Sequence, residues 1–194
     1  FNNPVDLEKY PRTLENDLIL LKSISEKIIV FSPVASELYS QNISSKSYVF
    51  SGIEQEMEGK HRAGHFDGVG TVLNLLFKVV TPSKAYFGEK DFQQLQIVKE
   101  LVKIERLPVN IIGCPIVREK NGLAMSSRNQ HLSMEDRSRA ASLYATIRHS
   151  ADSREAQRAL SEQGFNVDYV EDISGRRLAA VRLGETRLID NVEI

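Results

Sequence analysis

Two short stretches of this chain carry the residue types that phosphate chemistry uses. In the first, Gly88-Glu89-Lys90-Asp91 follows the short, partly aromatic run at residues 84–87 and opens a helical pattern that includes Gln94. A glycine there permits a tight turn and close approach by a ligand. The helix start offers free N–H groups and a positive dipole end to an anion. Lys90 and Gln94, four residues apart, share one face of that first turn. A nucleotide or a carboxylate substrate could use this set, and so could an ordinary strand-to-helix turn with solvated charges. In the second stretch, Met125-Ser126-Ser127-Arg128 combines two hydroxyls, consecutive backbone N–H groups and a guanidinium. Such a loop can wrap phosphates and stabilise charge developing on a leaving pyrophosphate. Taken alone, Ser-Ser-Arg is more often a surface turn.

Other reactive residue types point nowhere comparable. His61 and His65 have the spacing of metal ligands on a helix, but Gly59 and Gly64 argue against a helix, and no cysteine or carboxylate cluster completes a site. The expectation is no metal site, and a loop that lines a cleft or lies on the surface. His131 and His149 read as surface residues. The single cysteine, Cys114, has nothing nearby to lower its pKa and reads as structural. One cysteine excludes an internal disulfide framework and fits a reducing cytosol. No Walker A, Gly-x-Gly-x-x-Gly or Gly-x-Ser-x-Gly sequence occurs. With 25 basic and 26 acidic residues the net charge is −1, no footprint for nucleic acid, and no run of 18 apolar residues exists to span a membrane.

The elements that must position the two stretches read as alternating strands and helices. Thr13 is a plausible cap for a helix carrying Leu14, Leu18 and Leu21, after an irregular polar segment at residues 4–13. Residues 28–31 (Ile-Ile-Val-Phe) predict a central parallel strand buried on both faces, 34–38 a helical turn, and 48–50 a short strand. Residues 59–70 predict a glycine-rich loop, followed by a helix whose apolar stripe runs Val69, Val72, Leu73, Leu76, Phe77, Val80. A buried strand at 84–87, a helix over about 91–106 and a strand at 109–112 complete βα units, whose ligands bind at the carboxyl ends of the strands. The character changes near Val117: a charged turn at 118–122, a compact loop at 123–129, one helix from Ser133 through Ile147, a short helix at 153–163, and strands at 166–170, 178–183 and 186–189. The prediction is an α/β domain over 1–116 and a smaller α+β domain over 117–194.

Five blocks carry a family resemblance: Tyr10-Pro-Arg-Thr13, Gly64-His-Phe-Asp-Gly-Val69, Tyr86-Phe-Gly-Glu-Lys-Asp-Phe-Gln-Gln94, Gly122-Leu-Ala-Met-Ser-Ser-Arg-Asn129 and Thr186-Arg-Leu-Ile-Asp-Asn191. In this order, over essentially the whole chain, they resemble the pantoate–β-alanine ligases. The resemblance implies a Rossmann-like nucleotidyltransferase domain with a parallel sheet, followed by a small lid that closes over ATP. It implies a pantoyl-adenylate made from (R)-pantoate and MgATP with release of pyrophosphate, then attack by β-alanine to give pantothenate and AMP. Carried over by position, Gly88, Glu89, Lys90, Asp91, Val117, Met125, Ser126, Ser127 and Arg128 would contact ATP, with Asp91 at the ribose and Lys90 at a phosphate. Lys90, Ser126, Ser127 and Arg128 would carry the catalysis, and Gln94 would hold pantoate. Magnesium would ride on the ATP phosphates, with no protein-held metal. The family also implies a cytoplasmic homodimer with small-molecule partners only.

Departures from the family pattern set a further expectation. Its His-x-Gly-His segment is absent from these residues, a substrate-binding Gln would directly precede Phe1, and residues 151–177 are shorter than usual. The chain therefore reads as a fragment, inactive alone. Another adenylyl- or cytidylyltransferase of the same fold, or a non-catalytic nucleotide-binding paralogue, are the competing readings.

Overall fold

A computed structural model describes residues 8, 10, 12–39 and 44–194; most of the irregular segment at 4–13, Pro11 included, lies outside them. Helix α1 (Leu14–Ile24) starts at Thr13, whose hydroxyl donates to the Asp17 carboxylate at 3.2 Å. Leu14, Ile19, Leu20 and Ile24 stay in solvent, while Leu18 and Leu21 are half-buried. The expected single turn is α2 (Ala35–Leu38). Among the described residues no helix is long and apolar enough to cross a membrane.

The expected glycine-rich loop is largely helical. It contains α3 (Met57–His61) and the start of α4 (His65–Val80), four residues earlier than the apolar stripe predicts. Gly59 fits inside α3 because a Cβ there would run into the carbonyl oxygen of Glu54. Gly64 turns the chain between the helices at φ +72°. Close approach and a left-handed turn, not a loop, account for these glycines.

Two expected strands are not strands. Residues 28–31 form no ladder with any described residue, and Ile29 is 90% exposed. Such a run is a buried parallel strand only when neighbours on both edges take up its N–H and C=O groups. The parallel sheet that does form, β1 (Lys84–Gly88) beside β2 (Asn110–Cys114), pairs from Lys84↔Asn110 to Gly88↔Cys114 and does not reach it. Residues 48–50 keep a strand's alternation, Tyr48 and Phe50 buried and Val49 exposed. Backbone donors in and beside this run find side chains instead of a partner strand: Tyr48 N–H reaches Asp67 Oδ1 at 2.9 Å and Lys46 N–H reaches Thr71 Oγ1 at 2.8 Å, both on α4, and Phe50 N–H reaches Glu54 Oε2 at 3.1 Å.

Strand β1 is also less buried than its sequence suggests, with Lys84, Tyr86 and Gly88 exposed. After it come a 3₁₀ turn, Glu89–Asp91, and α5 (Phe92–Ile104). Ile97 and Leu101 of α5 pack with Tyr48, Phe50 and Phe66, while Val98 packs with Phe77 and Val109. Each such buried side chain contributes about 2 kcal/mol of transfer free energy.

The second half builds an antiparallel sheet in the order β3 (Asn166–Ile173), β4 (Arg176–Leu183), β5 (Thr186–Glu193). Ser133 starts a helix by accepting from Asp136 N–H at 3.0 Å. The single helix expected beyond it is split at Ala141 into α6 (Met134–Ala140) and α7 (Ser142–His149). The Ser142 hydroxyl donates back to the Arg139 carbonyl at 2.9 Å, a bond that bends helices. Asp152 caps α8 (Ser153–Glu162) through Glu155 N–H at 2.8 Å. One face of the sheet packs on the helices, with Val181 and Leu188 against Leu143, Ile147 and Leu160. The other face, with Tyr169, Leu178 and Ala180, packs on Met57 of α3. That contact joins the two halves.

Candidate active site

The carboxyl end of β1 delivers the Glu89–Asp91 turn, and the joint between the halves delivers a second wall. Arg118 and Ala124 form an antiparallel bridge, and Met125 N–H donates to the Val117 carbonyl at 2.9 Å. Ser126 then caps a 3₁₀ turn (Ser127–His131), accepting from Arg128 N–H at 3.3 Å. Asn129, 3% exposed, donates to the Ala124 carbonyl at 3.0 Å, which ties the turn to the bridge behind it. The Arg128 guanidinium carbon lies 5.8 Å from the Tyr10 ring centroid, within cation–π range.

Two clefts open between these walls. One, of about 890 Å³, is lined by Lys90, Asp91, Ser126 and Arg128 together with Glu58, Arg62 and Arg187. The other, of about 780 Å³, is lined by Lys90, Asp91, Gln94 and Arg128 with Arg62 and His65. Arg62, Lys90 and Arg128 belong to both, and so do Glu58, Asp91 and Asp190, so the clefts meet along a seam that carries both signs of charge.

Five of the sequence-predicted positions line neither cleft. Gly88 has an ordinary extended backbone, φ −66° and ψ 130°, so the expected tight turn is absent; the turn comes from the 3₁₀ geometry after it. The Glu89 carboxylate faces away to Arg176, at 3.0 Å. Val117 and Met125 are 66% and 57% exposed, and Ser127 is exposed too. Of the paired glutamines, Gln93 is buried and fully used. Its Oε1 accepts from Glu58 N–H at 3.0 Å, and its Nε2 donates to the carbonyls of Ile53 (2.7 Å) and Glu56 (2.9 Å).

Sequence reading missed the charged network beneath the seam. Arg187 donates through Nη1 and Nη2 to both oxygens of Glu58, at 2.9 and 2.7 Å, and through Nε to Asp168 at 2.6 Å. Tyr169 adds its hydroxyl to Glu58 Oε1 at 2.9 Å. Burial alone would push the Glu58 carboxyl up, but Arg187, Tyr169 and Arg62 together hold it below the usual carboxylate value. Burial and then the Glu58 charge push the Tyr169 phenol up, so it stays protonated and donates. His65 is pushed down to about 4 by burial and by Arg62, whose Nη1 lies 3.0 Å from its Nε2; the ring is neutral there and accepts. The His61 ring lies tilted by 35° against that of Tyr169, at 5.6 Å between centroids. The one available signal was the Thr186–Asn191 block, which carries Arg187 but suggests no role by itself.

The sequence model of the pantoate-beta-alanine ligase family matches residues 1–193. This chain belongs to the pantoate–β-alanine ligases. The pantothenate synthetase of Flavobacterium psychrophilum is 53% identical over 147 residues, which are 76% of this chain and 52% of that protein. That of Bdellovibrio bacteriovorus is 46% identical over 198 residues, covering 100% of this chain and 76% of the relative. The chain thus spans about half the length of the first relative and about three quarters of the second. A pantoate–β-alanine ligase structure from Francisella tularensis, complexed with β-γ ATP and β-alanine, superposes with TM-score 0.91 at 34% identity, covering 100% of this chain and 74% of that one. With these matches the α/β fold, its parallel sheet joined to a small antiparallel one, is that of the ligase family.

Proposed function

We propose that this ligase chain forms ATP-binding and pantoate-binding walls of an enzyme that condenses (R)-pantoate with β-alanine through a pantoyl-adenylate. The observation that carries the reading is the convergence of Lys90 and Asp91 from one wall with Ser126 and Arg128 from the other on a single cleft. Gln94 lies where the second cleft continues from the same seam. In the first step a pantoate carboxylate oxygen attacks the α-phosphorus of ATP, the bond to the bridging oxygen breaks, and pyrophosphate leaves. Charge grows on that leaving group, where Lys90 and Arg128 stabilise it and Ser126 donates a hydrogen bond. In the second step the β-alanine amine attacks the acyl carbon, AMP departs, and the amine gives up a proton. No side-chain nucleophile is required; orientation and charge stabilisation supply the rate.

The finer parts of the reading follow from the same resemblance. ATP enters as its magnesium complex, residues 117–194 act as a lid domain, and the enzyme is a cytoplasmic homodimer. The exposed Val79 and Val80 at the end of α4 offer an apolar surface for that assembly.

The test is pyrophosphate release by the full-length protein with ATP and pantoate, and AMP release when β-alanine is added. Lys90→Ala and Arg128→Ala are each expected to lower adenylation by about 10²–10³-fold. Pantoate-independent pyrophosphate exchange would assign the chain to another nucleotidyltransferase, and ATP binding without adenylate would make it a binding paralogue.

A further inference from the structure

Two residues near the end of β5, Asp190 and Asn191, touch both walls of the cleft while packing in neither hydrophobic cluster that holds the sheet. Asn191 is 2% exposed. Its Nδ2 donates to two successive carbonyls of the turn, Glu89 at 2.9 Å and Lys90 at 3.0 Å. Its Oδ1 accepts from Arg176 Nη1 at 2.7 Å, and its backbone N–H donates to Asp190 Oδ1 at 2.8 Å. Asp190 in turn holds Arg118 through two bonds, at 2.5 and 2.9 Å, at the base of the bridge that leads into Ser126 and Arg128.

We infer that Asn191 is a positioning residue for Lys90, with Asp190 registering the facing loop through Arg118. The inference rests on the reading of Lys90 as a phosphate ligand. Both N–H bonds of one amide are committed to consecutive peptide planes, so the direction in which the Lys90 side chain leaves the turn is set by Asn191. A three-residue 3₁₀ turn has weak internal geometry and cannot hold that direction by itself. Arg176 completes the clamp, bonding Asn191 and the Glu89 carboxylate at once. All three partners come from the antiparallel sheet, so this sheet sets the separation between the Lys90 wall and the Arg128 wall.

The full-length protein tests this with Asn191→Ala, Asn191→Asp, Lys90→Ala and the two doubles, measured by pantoate-dependent pyrophosphate release and by thermal unfolding. Asn191→Asp keeps the shape and the Arg176 partner and removes both donations, so it decides the matter where Asn191→Ala does not fold. A displacement of about 1 Å at a reacting group costs roughly 100-fold, and that fall in kcat is expected for each single Asn191 variant. In the Lys90→Ala background the same changes are expected to cost no more than about twofold, because one route to the substrate is already lost. Losses that multiply across the double variants, or folded Asn191→Asp protein with unchanged kcat, would overturn the positioning role while leaving the Lys90 assignment intact. Full activity in Lys90→Ala would overturn the site assignment and this inference with it.

Discussion

Arg187 and Glu58 meet through two parallel hydrogen bonds, 2.9 and 2.7 Å long, although 129 residues of chain separate them. The pair links the last strand of the antiparallel sheet to the short helix α3, and Asp168 takes the third guanidinium donor. Both side chains are more than four-fifths buried. A planar fork against a carboxylate fixes orientation as well as distance, so the pair holds one half of the molecule at a set angle to the other.

Removing one end should be costly. Arg187→Met leaves the Glu58 charge buried with only the Tyr169 hydroxyl and the more distant Arg62, and the expected loss is about 3 kcal/mol in urea unfolding. Replacing both ends by apolar residues, Glu58→Leu with Arg187→Met, is expected to recover much of it. A single variant as stable as the parent would show that the pair is not what joins the halves.

Acid should weaken the fold in two separate ranges. A group whose pKa is depressed by folding contributes stability that is complete above its unfolded pKa and is lost as pH falls through the folded one. His65 is lowered from 6.5 to about 4, so between those values the unfolded chain takes up a proton that the folded chain refuses. Stability is expected to fall across that window by roughly 3 kcal/mol at its limit. Glu58 and Asp168 are likewise depressed, against the burial that pushes each up, so their contributions are lost only further down, below the ordinary 4.5 and 3.8 of these side chains. Comparing unfolding at about pH 7 and about pH 5 isolates the histidine. His65→Gln, which keeps an acceptor for Arg62, should remove most of the difference; an unchanged slope would assign it elsewhere.

What sequence made legible was whatever depends on near neighbours. The β1–turn–α5 unit, the cap at Ser133 and the strands after Gly164 follow from short-range spacing, and they stand where that spacing puts them. The alternation of Tyr48, Val49 and Phe50 was legible too, but not that the carboxylates of Asp67 and Glu54 would take up the Tyr48 and Phe50 N–H groups in place of a strand. An apolar run such as 28–31 states that burial would suit it without naming what covers it. Glycine is ambiguous in the same way: Gly59 signals a loop on paper and a close contact in the fold. The Arg187–Glu58 and Asn191–Lys90 contacts join residues more than 100 positions apart, where no local pattern points.

Gln93 and Gln94 illustrate the limit at one pair of identical residues. In the sequence only the four-residue spacing from Lys90 sets Gln94 apart; in the fold Gln93 satisfies three backbone groups while Gln94 lines a cleft. Gln93→Ala should destabilise the protein by about 2–3 kcal/mol, because it strands a buried donor and two carbonyls. Gln94→Ala should leave stability within about 0.5 kcal/mol and raise the KM for pantoate. The reverse pattern in unfolding and steady-state kinetics would exchange the two roles.

Gly88 gives the sharpest separation of fold from function. Its backbone conformation is open to any residue, and a Cβ built on it meets no atom within 4 Å. Gly88→Ala should therefore leave the fold intact and stabilise it by about 0.4–1 kcal/mol, by restricting the unfolded chain. The described residues make no use of the space beside Gly88. A nucleotide lying against the end of β1 would use it, and the added methyl group would meet the ligand before it met the protein. The expected outcome is a raised KM for ATP with an equal or higher melting temperature. Unchanged kinetics would remove Gly88 from the ATP contacts and leave Lys90, Asp91 and the facing Ser126–Arg128 loop to hold the nucleotide.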